Sequence, residues 1–217
     1  MNQTSHVKEW ANPTPAALVA LALICFCFFA LLTGRISHEA TPLLAIWLAC
    51  SFIVQIISAI LDLKDGNISG GNVFLFFSCF FMLASGLEMF LKFYMGHAGI
   101  ILDPRIDGWA WLALTFVLWL WTPAFFKAPL FLTFIVFGVD IAAPVISFMD
   151  LGLIPKTSGA IAGWALLIAG SIAIYLCSAM VVNGVFGRKL YPLPGPIIKE
   201  KKAYASNISE NIKDTAS

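Results

Sequence analysis

Asn12-Pro13-Thr14-Pro15-Ala16-Ala17-Leu18 sets a polar, proline-punctuated run directly against the first of six long apolar stretches. Asparagine accepts amide hydrogen bonds at a helix N-cap. Proline suits the first helical position, where its missing N–H costs nothing. The run therefore predicts an abrupt helix start with Asn12 as cap and Pro13 first in the helix. A simple membrane anchor has no use for such a start. A helix beginning here turns free amides and the positive end of its dipole toward whatever precedes it, which suits an anion. The other reading is an ordinary cap at the membrane surface, and spacing alone leaves both open.

Beyond this run the chain is apolar almost throughout. Of its 217 residues, 60% are hydrophobic and only 12% charged, with a mean hydropathy of +0.89. So little charge excludes a water-soluble domain of this length, and the fold class is an all-α membrane protein. A net charge of +1 gives no reason to expect nucleic acid as a partner. About 20 apolar residues cross a hydrocarbon core of ~30 Å, and six stretches qualify: 15–33, 41–61, 73–94, 109–126, 130–148 and 158–182. Their connections are short, so the chain reads as one six-helix transmembrane domain, 13–190. A short cytosolic segment, 1–12, precedes it, and a polar tail, 191–217, comes after it, expected to be disordered. The first span is expected to remain in the mature protein, because Gly34-Arg35-Ile36-Ser37 offers no obvious cleavage site. With both termini cytosolic, nine lysines and arginines face inward, among them Lys64, Lys127 and Arg188. Four (Arg35, Lys92, Arg105 and Lys156) then face outward, which obeys the positive-inside tendency of a multi-pass protein of the cell membrane.

Chemistry has little to work with. His6, His38 and His97 do not cluster, and no catalytic or phosphate-binding motif is present, so an enzyme with a cofactor or metal centre is not the expectation. The five cysteines fall inside spans without metal-ligand spacing and read as packing residues. Passage of a solute is the better class. Three polar residues within spans stand out. Glu88 has Lys92 four residues on and reads as a satisfied pair. Asp140 lies mid-span with no partner on its own helix, so it serves either a proton-linked role or a buried structural hydrogen bond. Gln55 either bridges helices or lines a pore. Phe74, Phe77 and Phe81 share one helical face, a stripe that reads as packing or lipid contact, with one ring able to gate a pore.

Several short stretches then coincide with one known pattern. The opening run resembles the Asn-Pro-Ala-Pro-Leu-Gly-Leu signature of the acetate uptake transporter family. Lys64-Asp65-Gly66-Asn67 is similar to that family's Lys-Lys-Gly-Asn turn. Ala162-Gly163-Trp164, Ala173-Ile174-Tyr175-Leu176 and Phe186-Gly187-Arg188 resemble its sixth span and the residues just after that span. The resemblance runs from about Ala11 to Pro194.

It implies a six-helix protomer with its own pore, assembled as a homo-hexamer in the lipid bilayer. It also implies passage of acetate and related short monocarboxylates, sometimes succinate, by proton symport or as an anion channel. The narrow point would be an apolar ring from the first, third and fifth helices, here Leu21, Phe77 and Phe137. Asn12, Thr14 and the amides after it would hold the carboxylate at the inner mouth. Gln55 and Tyr175 would offer hydrogen bonds along the path, and Ala173 would influence which acid fits. At 1.5 Å per residue Leu21 lies ~13 Å beyond Asn12 and Phe137 ~12 Å beyond Pro129, so the three can share one level.

This chain departs from the pattern in places. The signature loses a glycine, Leu21 and Phe77 replace a phenylalanine and a tyrosine, and Asp140 falls at an apolar position. A hexameric channel for small neutral solutes of the urea or amide type shares the plan and is the competing reading. A membrane protein that has lost transport is the third.

Overall fold

The computed structural model describes residues 11–199. Among these residues the architecture is helical, with six helices long and apolar enough to cross a membrane. The first span is α1, Thr14–Leu32, and the second is built on α2, Thr41–Lys64. The third is composite: α3, Ile68–Phe76, a π-helical stretch, Phe77–Ala84, and α4, Ser85–His97. Then come α5, Arg105–Trp121, α6, Leu130–Asp150, and α7, Gly159–Phe186.

Every span after the first is longer than the hydropathy pattern predicts, the third most of all. Asn67 caps α3 by accepting the Gly70 amide at 3.0 Å, so the helix begins inside the polar turn instead of after it. At the other end of the molecule Gly187 adopts φ +61°, the left-handed conformation that terminates α7.

α7 packs chiefly on α1 and α6, α6 on α5, α1 on α2, and α2 on the third span. The helices thus form a curved row, α5–α6–α7–α1–α2–α3. Its two ends meet through side chains: Phe81 lies edge-on to Trp111 at 5.8 Å, and Phe76 approaches Trp121 at 6.3 Å. Association in a bilayer gains nothing from hydrophobicity and rests on close packing, so small residues mark the tightest seams. A Cβ added at Gly170 would stand 2.9 Å from the Cys25 Cβ, across the α1–α7 seam.

The segment after α7 does not simply leave the bundle. The Asn183 side chain accepts the Leu190 and Tyr191 amides at 2.8 and 2.9 Å and donates to the Tyr191 carbonyl at 2.8 Å. The Ile198 amide reaches the Phe126 carbonyl at 2.9 Å, so this stretch is strapped across the α5–α6 connection. The expected disordered tail therefore begins as a bonded strap over Tyr191–Lys199. The rest of that tail, like the segment before Ala11, lies outside the described residues.

Candidate functional site

Two cavities enter the bundle from opposite ends. The first, about 380 Å³, opens at the end that carries Ala11 and Lys199 and is the tail-side cavity. Its mouth is polar, with Asn12, Thr14, Asn67, Ser69 and Lys127 on its walls. Deeper in, it becomes apolar and stops at Leu21, Phe77, Leu118, Val136 and Val139. The second, about 710 Å³, opens at the far end among Glu88, Lys92, His97, Asp150 and Lys156 and stops at Phe28, Phe81 and Trp111.

The tail-side mouth is built by three helix starts. Asn12 accepts the Thr14 amide at 2.9 Å, and the Pro13 carbonyl takes the Ala16 and Ala17 amides at 3.0 and 3.5 Å. α1 accordingly begins at Thr14, with Pro13 in the cap position, one residue later than the sequence pattern predicts. The expected row of amides facing an anion is corrected too: Pro13 and Pro15 carry no N–H, and the other amides of this turn already have partners. What the mouth presents is side chains. Thr14 also points its hydroxyl at the buried carboxylate of Asp62, 3.4 and 3.5 Å away, which ties α1 to α2. Pro129 precedes α6 and Lys127 stands beside it, bringing a cation to the same opening.

Of the residues expected to form the constriction, Leu21 and Phe77 meet at the cavity floor, 4% and 3% exposed. Phe137 does not join them. It is 37% exposed and packs edge-on against Phe126 at 6.1 Å on the outside of the bundle. Val136 and Val139 hold the α6 side of the floor, and Leu118 of α5 completes it.

Three expected path residues also lie off the cavities. Gln55 is fully buried and donates to the Ala17 carbonyl at 3.4 Å, bridging α2 and α1. Ala173 is fully buried in the core and lines neither cavity. Tyr175 faces outward, its hydroxyl donating to the Pro192 carbonyl at 3.0 Å, while its neighbour Leu176 lines the tail-side cavity. α7 is thus turned by one position relative to the expectation.

Asp140 has a local explanation. Pro144 sits inside α6 and has no N–H for the carbonyl four residues back, which is that of Asp140. The Trp119 indole of α5 takes the place of that N–H, donating to the carbonyl at 3.1 Å. The Asp140 carboxylate meets the Thr122 hydroxyl at 2.6 Å. Trp119, Thr122, Asp140 and Pro144 together form a seam between α5 and α6, away from both cavities.

At the far end, Lys92 lies 3.6 Å from Glu88 and hydrogen-bonds Asp107, so the expected Glu88–Lys92 pair is part of a larger ionic group joining α4 to α5. In the neighbouring loop, hydrogen bonds from the Arg105 side chain and then its amide hold the Asp103 carboxyl down at about 2. That exposed pair stays fully charged at any pH near neutrality.

Lys127, Asn67 and Ser69 at one mouth, Leu118, Val136 and Val139 at its floor, and Phe28, Phe81 and Trp111 at the other floor are not singled out for a site by the sequence pattern. Phe81 had a signal in sharing a helical face with Phe77, and Asn67 in the turn that resembles the family's Lys-Lys-Gly-Asn.

Polar mouths at both ends and an apolar wall between them define a six-helix membrane protein shaped for passage, not catalysis. Known proteins of similar sequence and structure agree. The chain is 25% identical over 185 residues to the succinate-acetate/proton symporter SatP of Escherichia coli K12, spanning 84% of this chain and 95% of that protein. The symporter of the same name from Shigella flexneri matches with the same figures. The solved structure of the bacterial acetate channel SatP superposes with a TM-score of 0.73 at 21% identity, covering 85% of this chain and 99% of that one. No family model matches the chain. The resemblance read from the motifs is thus met by relatives along almost their whole length. These relatives are a transporter and a channel, not enzymes.

Proposed function

We propose that this protein carries acetate and related short-chain monocarboxylates across the membrane, with succinate at the upper end of its size range. The observation that carries the reading is the tail-side cavity, where Asn12, Asn67, Ser69 and Lys127 surround a mouth that narrows onto Leu21, Phe77, Leu118 and the α6 valines. A carboxylate gains hydrogen bonds and a cation at the mouth, then loses water at the floor. Small single-charge acids tolerate that loss better than large or doubly charged ones. The fold shared with the acetate channel and the symporter relatives support the same substrate class.

On this reading the tail-side mouth faces the cytosol, in keeping with the lysine and arginine distribution, and the protomer assembles as a hexamer of independent pores. Asn12 and Thr14 meet the carboxylate, and Leu21 and Phe77 form the constriction with Val136 and Val139 in place of Phe137. Asp140 acts as a structural hydrogen-bond partner at the α5–α6 seam instead of a proton carrier. Gln55, Ala173 and Tyr175 influence the path through helix packing.

Purified protein in liposomes tests the proposal with labelled acetate and labelled urea side by side. Acetate entry above empty liposomes is expected. Urea entry without acetate entry would replace the proposal with the neutral-solute channel, and entry of neither would favour a protein that no longer transports. Lys127→Gln is expected to lower acetate flux about tenfold at low salt, because a cation at a narrow mouth raises the local anion concentration. The loss should shrink as ionic strength rises.

A further inference from the structure

The two cavities do not share a single lining residue, and what separates them is thicker than one ring of side chains. On α1 the tail-side floor is Leu21 and the far-side floor is Phe28; on α5 the pair is Leu118 and Trp111; on α6 it is Val139 and Ile146. Each pair is seven residues apart, a rise of roughly 10 Å along a helix. The third span carries both floors on adjacent positions of one face, Phe77 below and Phe81 above, at the start of its π-helical stretch.

The upper floor is an aromatic cluster. Phe81 stacks on Phe28 with ring centres 5.2 Å apart, meets Phe77 edge-on at 5.6 Å and meets Trp111 edge-on at 5.8 Å. All are nearly enclosed: Phe28 is 6%, Phe81 4% and Trp111 8% exposed. These rings come from α1, the third span and α5. They therefore close the point where the two ends of the helical row meet, a place with no backbone seam to seal it.

We propose that Phe28, Phe81 and Trp111 form a second apolar barrier, in series with the one at Leu21 and Phe77, and that this outer barrier sets the width of acid that passes. The inference rests on the transport reading above and extends it. Barriers in series limit flow by their sum, so opening one leaves the other in control. The π-helical stretch places Phe81 on a turn one residue wider than an α-helical turn, a geometry that recurs at functional positions. Phe81 is the shared member, touching both the lower ring and the rest of the upper one. Trp111 brings the largest ring, so its width decides which side chains of an acid clear the layer.

The test uses the full chain in liposomes with Leu21→Ala, Phe81→Ala and the pair, reading acetate flux, butyrate flux and osmotic water permeability. Each single truncation is expected to stay within about threefold of wild type, and the pair to exceed the product of the two. Trp111→Phe is expected to raise butyrate flux by a larger factor than it raises acetate flux. If Phe81→Ala is poorly recovered, Phe81→Leu combined with Trp111→Phe removes bulk from the same layer with less loss of packing. The proposal is overturned if Leu21→Ala alone gives the full increase of the pair, or if Trp111→Phe leaves the butyrate-to-acetate ratio unmoved. Water permeability reads both barriers whichever solute the protein carries. Absent acetate flux in the wild type thus counts against the transport reading, and the water measurement alone then decides the second barrier.

Discussion

Val136→Trp is expected to cut acetate flux at least about tenfold, which is about 1.4 kcal/mol on the passage barrier. Phe137→Trp, one residue along, is expected to leave flux at the wild-type level. Val136 is 7% exposed and lines the tail-side cavity, so an indole there must occupy space that a carboxylate needs. That cavity measures about 380 Å³ and is lined by Val136 together with Leu21 and Phe77, so the added ring takes up part of the path itself. Phe137 looks outward and meets Phe126 edge-on, and a larger ring there projects away from the cavity. Both proteins are compared after size-exclusion and melting show them equally folded. The reverse outcome, flux lost in Phe137→Trp and kept in Val136→Trp, would turn α6 by one position and return Phe137 to the pore.

That one-position ambiguity shows where the sequence stops being readable. The number of spans and their order come from the length of apolar stretches, since a helix must cover the hydrocarbon thickness whatever its neighbours are. Rotation about the helix axis is different. In a soluble helix the polar side identifies the exposed face, whereas α6 carries Phe134 and Phe137 outside and Ile135, Val136 and Val139 inside, all apolar. The same loss of contrast exchanged Tyr175 for Leu176 on α7. The family resemblance names Leu21, Phe77 and Phe137 alike, and depth along the helix puts all three near one level, so depth could not tell the residues facing the cavity from the one facing outward.

Polar residues inside spans left two readings open for the opposite reason. Gln55 and Asp140 suggest a pore because polar groups inside a membrane are costly without partners. Each has one partner on a neighbouring element, the Ala17 carbonyl for the Gln55 amide and the Thr122 hydroxyl for one Asp140 oxygen. Gln55 Oε1 and Asp140 Oδ1 are buried without a hydrogen-bond partner among the described residues. The orphaned carbonyl of Asp140 is a consequence of Pro144 four residues on, a spacing visible in the sequence. That Trp119 would fill it depends on how α5 and α6 meet, and no local pattern gives that.

Gly138→Leu is expected to cost about 3 kcal/mol or more of stability, seen as a large fall in melting temperature in detergent and in the yield of folded protein. A Cβ at Gly138 would lie 2.8 Å from the Ala169 Cβ and 2.9 Å from the Ala165 carbonyl oxygen. The second contact is backbone, so no rotamer change relieves it, and α6 must move away from α7. Gly184→Ala is the matching control. Nothing lies within 4 Å of a Cβ there, and alanine favours a helix by up to about 1 kcal/mol over glycine, so stability should hold or rise. α7 is pressed from two sides, by α6 at Ala165 and Ala169 and by α1 at Gly163 and Gly170. α1 carries Leu21 and α6 carries Val136 and Val139, so the small residues of α7 determine how far apart the two walls of the constriction stand. A milder change, Gly138→Ala, is therefore expected to keep the fold while widening the inner floor, with acetate flux rising modestly and the butyrate-to-acetate ratio still held by the outer aromatic layer. Unchanged melting of Gly138→Leu, together with unchanged acetate flux in Gly138→Ala, would mean that the α6–α7 seam is looser than its contacts require and that the spacing of the inner walls is set elsewhere.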